Sequence, residues 1–197
     1  MNLSSILRQL SGAWKVMNGR VEGLSEFDLT LEGFWRSFGA VFLIVPFTAI
    51  AVLSEQAALS AATDMPAEAP GTGFFTLRLF GLGLDWIAFP ILFAFLARPL
   101  GVSTHYVPFI VARNWSAVII SGIFALPHAL HALGLVPLPV LSFLLFALFV
   151  VALRFAYLVV RVALAVPPMM AVPIVLLELL IGIVIELSLS RAFALPI

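Results

Sequence analysis

Two carboxyl side chains fall inside stretches that are otherwise built from apolar residues: Asp85, within 74–97, and Glu178, within 168–189. An ionisable group in hydrocarbon is costly; where one persists it pairs, relays protons or binds ions. With a rise of about 1.5 Å per helical residue, Asp85 lies about 16 Å into its stretch and Glu178 about 15 Å into the other. Both therefore sit near the middle of a hydrocarbon core about 30 Å thick. Two carboxyls at one depth repel and would share a proton, the property a proton relay or a cation site uses. The plainer reading is a neutral carboxylic acid hydrogen-bonded between helices, a contact of about 0.6 kcal/mol. Arg78 precedes Asp85 by seven residues and Glu186 follows Glu178 by eight, so each lies on its partner's helical face. If the two stretches touch, one seam carries Arg78, Asp85, Glu178 and Glu186. Snorkelling to the interface is the competing account of Arg78 and Glu186.

A second set is cationic. Arg113, followed by Asn114 and Trp115, falls early in another apolar stretch, and Arg98, Arg154 and Arg161 flank the same side. Four cations facing one leaflet could bind lipid headgroups, or simply mark the cytoplasmic flank. His128 and His131 have helical spacing for one metal, but no carboxylate or cysteine completes a ligand set. Interfacial histidines are the expectation, with no metal and no cofactor. No Gly-x-Ser-x-Gly, Ser-x-x-Lys or His-Glu-x-x-His pattern occurs. The sequence is therefore read as non-enzymatic.

These groups must be positioned by membrane helices. The 197 residues are 63% hydrophobic and only 10% charged, with a mean hydropathy of +1.18. A soluble domain is about 45–50% apolar and about 25% charged, so soluble and disordered classes are both excluded. Ten Lys and Arg balance ten Asp and Glu, which leaves no basic excess for nucleic acid. Five stretches approach the roughly 20 residues a spanning helix needs: 38–53, 74–97, 107–128, 135–153 and 168–189. A four-span alternative makes the Arg78/Asp85 stretch re-entrant. The expected fold is all-α, a polytopic bundle of five spans over 37–197, preceded by a cytoplasmic segment over 1–36.

Within that segment Leu3, Ile6, Leu7, Leu10, Trp14 and Met17 recur at helical spacing, with Ser4, Arg8, Ser11 and Lys15 opposite. That pattern predicts an amphipathic helix lying in the interface, anchored by Trp14, with Trp35 anchoring the start of the first span. Asn18-Gly19 should end the helix. Ser25 to Asp28 has the spacing of a capping box. The segment 54–73 has no amphipathic pattern and reads as an exterior connection. Pro46, Pro90 and Pro173 fall inside spans, and Pro167-Pro168 should open the fifth. Eight of the ten basic residues fall on one side of the five spans, with only Arg78 and Arg191 near the other. By the positive-inside rule the N-terminus is cytoplasmic and the C-terminus exterior, as in a multi-pass protein of the cell inner membrane.

Asp28-Leu29 and Gly33-Phe34-Trp35, ahead of five spans, resemble the Asp-Leu-Tyr-Gly-Pro-Phe-Trp-like stretch of the Yip1 family of small membrane proteins. Here Thr30-Leu31-Glu32 intervenes, and the Tyr and Pro are absent. The chain is also similar to short alphaproteobacterial proteins in Gly12-Ala13-Trp14, Gly33-Phe34-Trp35-Arg36 and Ala112-Arg113-Asn114-Trp115. The first resemblance implies a cytoplasmic N-terminal segment, five clustered spans, an exterior C-terminus and no catalytic residue. Weak chemistry, the amphipathic N-terminal helix and little mass outside the membrane point to a protein that acts by binding membrane lipids or a partner, another membrane protein or a second copy. The alternative is a small proton- or cation-coupled transporter or channel subunit that uses Asp85 and Glu178.

Overall fold

The computed structural model describes residues 2–63 and 72–193. Its helices in order are α1 (Leu3–Met17), α2 (Leu31–Phe38), α3 (Val41–Thr63), α4 (Thr72–Ala97), α5 (Tyr106–Ala132), α6 (Leu138–Ala163) and α7 (Pro168–Phe193). Single 3-10 turns cover Val21–Glu26 and Ser103–His105. Among the described residues there is no strand. Five helices are long and apolar enough to cross a membrane. The first crossing stretch, Leu31–Ala58, takes in α2, so the apolar run begins earlier than position 38. The described part of 54–73 is also more ordered than a connection, because its Ala-rich start continues α3 to Thr63. Residues 64–71, with Asp64 and Glu68, lie outside the described residues. At the other side, α6 runs on to Ala163 and carries Arg154 and Arg161 within its last turns.

The centre of the bundle is α5. It packs against α3 and α6, and its N-terminal half is further covered by α1 and α2. Eight consecutive residues, Phe109 to Ser116, are buried there, so no face of that segment meets lipid. A segment that carries Arg113, Asn114 and Ser116 requires such an enclosure, since hydrocarbon cannot satisfy them. Around it pack Phe89, Phe93, Val159, Val160, Ala163 and Ala171. Phe93 sits edge-on to Phe109 with centroids 5.0 Å apart, a favoured aromatic geometry. Pro46, Pro90, Pro127 and Pro173 all fall inside helices, and Pro168 opens α7.

α1 is a docked cap. Asn2 begins it by accepting from the Ser5 amide at 2.9 Å, and Asn18 and Gly19 end it, with Gly19 at φ +79°. Its packed face is Gln9, Gly12, Ala13, Val16 and Met17. Gly12 explains that choice of face. A Cβ there would lie 2.8 Å from the Gly23 carbonyl, and one on Gly23 would lie 2.6 Å from the Gly12 carbonyl. The two backbones touch, and Lys15 and Glu26 pair across the same crossing. The single stripe expected from Leu3 to Met17 therefore divides. Met17 enters the core, while Leu3, Leu7 and Trp14 remain outside, Trp14 being 49% exposed. Small residues, not the largest apolar ones, set the contact. α2 is capped by Thr30, which accepts from the Gly33 amide at 3.1 Å, and not by Ser25, whose hydroxyl turns back to the Glu22 carbonyl.

Candidate intramembrane site

Asp85 and Glu178 come from α4 and α7, helices that pack together, and both reach one guanidinium. Arg113 of α5 donates from Nε to Glu178 Oε1 at 2.5 Å and approaches Asp85 Oδ2 at 4.0 Å. The Arg113 side chain is 9% exposed, and its guanidinium lies 5.0 Å from the centre of the Phe89 ring. The expected assignment of Arg113 to headgroups is therefore corrected. It lies two turns inside α5, where α1 and α2 also pack, and its long side chain reaches the Glu178 carboxylate. An arginine stands between the two carboxyls that the spacing placed at one depth.

All five crossing helices contribute to a cavity of about 210 Å³ at this level: Ile44 from α3, Asp85 from α4, Arg113 from α5, Val159 from α6 and Glu178 from α7. Asp85 is the most open of the three charged groups, with 42% of its side chain exposed. α7 passes it at Gly182, where a Cβ would stand 3.5 Å from Asp85 Oδ1, an ordinary van der Waals contact. Trp86 also lines the cavity, held by its indole N–H donating to the Phe38 carbonyl at 3.1 Å. The Ser116 hydroxyl, on the cavity wall, is buried without a partner.

Towards the opposite end of α4 from the capped side, the second cluster has the same composition. Arg78 donates to Glu186 Oε1 at 2.6 Å and to Glu55 Oε2 at 2.9 Å, joining α4 to α7 and α3. The seam of Arg78, Asp85, Glu178 and Glu186 runs along α4 and α7 as their spacing implies. Glu55 is the member that sequence reasoning missed, because its surroundings read as a connection. A cavity of about 130 Å³ lies beside Arg78 and Glu186, and Leu82 lines both this cavity and the larger one.

On the capped side, polar contacts continue from Arg113. Its NH1 lies 3.5 Å from Asn114 Oδ1, Asn114 donates to Ser37 Oγ at 3.0 Å, and Ser37 donates to the Phe34 carbonyl at 2.7 Å. Asn114 and Ser37 are wholly buried. Gln9 of α1 faces the same small polar gap as Ser37, Asp28 and Arg36, with its own Oε1 unpartnered.

The other cationic candidates differ from Arg113. Arg98, just past the end of α4, and Arg154 are exposed, and Arg154 stacks over Phe155 at 5.7 Å. Arg161 is half-buried and donates to the Tyr157 hydroxyl at 3.1 Å. Trp14 meets Phe155 edge-on at 6.0 Å, and Trp35 meets Phe34 edge-on at 5.2 Å while staying 64% exposed. His131 is turned to the Val136 carbonyl at 2.7 Å, where it braces the turn into α6. Among the described residues no three His, Asp or Glu side chains are grouped to hold a metal ion. Outside the spans, Thr30 hydrogen-bonds the Asp28 carboxylate and Lys15 that of Glu26, and each partner holds its acid below the ordinary carboxylate range.

No protein-family model, curated protein or solved structure matches this chain.

Proposed function

We propose that the chain is a small, non-enzymatic transporter or channel subunit that exchanges a proton or a cation at Asp85. The observation that carries this reading is the cavity at the centre of five crossing helices, with Asp85, Arg113 and Glu178 in its wall. A dry bundle would have favoured a binding or scaffold role; a cavity that reaches both carboxyls favours exchange. The three groups carry one net negative charge when all are ionised. Arg113 is committed to Glu178 and only loosely engaged with Asp85. A proton or cation on Asp85 neutralises the cluster and frees Arg113 to bind Glu178 alone. Its departure draws the guanidinium back towards α4. The arginine thus has two positions that bias two helices, the kind of bistable element a gated site needs.

The same reading sets the cytoplasmic face at α1 and the C-terminus outside, in a cell inner membrane. With Arg113 inside the bundle, seven basic residues against two still follow the positive-inside bias. The exposed stripe of Leu3, Leu7 and Trp14, beside Arg8, supports an interfacial position for α1 against anionic lipid. Reporter fusions after Ile197 and within the segment near Ser60 should both read exterior. The exchange itself is tested in liposomes carrying a proton, sodium or potassium gradient. The wild type should dissipate at least one gradient faster than empty liposomes, and Asp85→Asn should not. Wild-type liposomes as tight as empty ones under all three gradients would overturn the proposal.

A further inference from the structure

We infer that the central cavity takes a small organic cation, an ammonium group on a short apolar or aromatic body. This rests on the reading of Asp85 as the exchanging group and names its ligand class. The charge is one argument: two carboxylates face one guanidinium, so the cavity favours a cation over an anion. The wall is another. Apart from Asp85, Arg113 and Glu178 it is mostly apolar, with Leu82, Ile120 and Val159 among its members. A hard metal ion takes about six oxygen ligands, but here the acid oxygens already face Arg113, whose positive charge opposes a metal ion, and a bare proton needs no cavity. An organic cation uses both kinds of surface.

Trp86 and Phe109 line the same wall as the acid, and aromatic rings there attract a desolvated ammonium, as the Arg113 guanidinium 6.0 Å from the Trp86 ring already shows for a cation at this level. The Ser116 hydroxyl is only 3% exposed as a residue, has no partner, and lines the cavity. A buried polar atom ordinarily has one, and an ammonium N–H donated to Ser116 Oγ would supply it. Size limits the ligand. Sites for drug-sized molecules run from about 300 Å³ upward; this one is about 210 Å³.

The test uses the full chain in lipid nanodiscs and benzylammonium as the probe, with empty nanodiscs as the blank. Saturable one-to-one binding by calorimetry is expected for the wild type at neutral pH. Neutral benzyl alcohol, of the same shape, should bind at least about tenfold more weakly, the loss of one charge-assisted contact. Asp85→Asn should lose about the same factor. Ser116→Ala, a change of one atom that leaves the triad in place, should lose about threefold. No saturable binding, equal binding of benzyl alcohol, or full affinity in Asp85→Asn would each overturn the inference. The liposome flux assay separates the two claims. Asp85-dependent flux of an inorganic ion without benzylammonium binding would leave the exchange reading standing and this inference refuted. Binding without any flux would refute the exchange of inorganic ions and leave Asp85 as the group that binds the organic cation.

Discussion

Glu178 Oε1 stands 2.5 Å from Arg113 Nε, while the Asp85 carboxylate stands 4.0 Å from the same guanidinium. One arginine thus holds one acid firmly and leaves the other to the cavity. On the proposed reading the two acids have different tasks for that reason: Glu178 anchors Arg113, and Asp85 exchanges.

Removing the anchor should cost more than removing the exchanging group. Glu178→Gln leaves the buried Arg113 with only the distant Asp85, a loss on the order of 3 kcal/mol for breaking a buried pair. Asp85→Asn keeps the closer contact and should cost about 1 kcal/mol or less. Thermal unfolding in detergent micelles, read by circular dichroism, ranks the two. An Asp85→Asn variant less stable than Glu178→Gln would reverse the assignment of roles.

How much of this site can be read from the residues alone depends on what spacing encodes. Seven- and eight-residue intervals fix a helical face, so the pairs Arg78 with Asp85 and Glu178 with Glu186 are readable from spacing, while the contact of α4 with α7 that joins them into one seam is not. Spacing also gives depth, but not what lies behind a given level. Arg113 sits near the edge of its apolar stretch, where arginine ordinarily snorkels. That edge is buried here because α1 and α2 add protein to the enclosure that α3 and α6 begin. The cap in turn depends on Gly12 and Gly23, whose contact joins residues eleven apart in the sequence. Glu55 was hidden for another reason. Its Ala-rich neighbourhood looks like a connection by hydropathy, yet alanine favours helix, and that propensity was the usable signal.

The cap should come loose when the glycine contact is filled. Gly23→Val would press its side chain against the Gly12 carbonyl and the Lys15 and Val16 side chains. Trypsin should then cut at Arg8 and Lys15 several-fold faster in micelles than in the wild type. The remainder of the chain should still run as a folded species on gel filtration. Unchanged cleavage would show that α1 does not depend on this crossing.

Acid should loosen the same cap. Lys15 holds the Glu26 carboxyl below its ordinary value of 4.5. A group depressed by folding stabilises the fold above its unfolded value, and that stabilisation disappears as pH falls through the lower folded value. The chain has no cysteine, so Ser4→Cys gives one labelling position for a nitroxide. Its mobility should stay constant from neutral pH to about 5 and rise below the ordinary carboxylate value. In Lys15→Met the label should already be more mobile at neutral pH, with a smaller acid step. Identical titrations in the two proteins would remove the pair from the cap's stability.

Asn114 tests whether the polar contacts leading from the triad to the cap act as one unit. Its amide donates to Ser37, whose hydroxyl in turn donates to the Phe34 carbonyl, and its own carbonyl faces Arg113. Asn114→Leu leaves the buried Ser37 without its donor, at a cost of about 1–3 kcal/mol. Ser37→Ala leaves the wholly buried Asn114 amide N–H without its acceptor and should cost a similar amount, about 1–3 kcal/mol. If the two side chains act together, the double variant should cost less than the sum of the single ones, since each deletion spoils the same contact. Strict additivity in thermal unfolding would mean that the two positions contribute separately, and that the line from Arg113 to α2 has no energetic continuity.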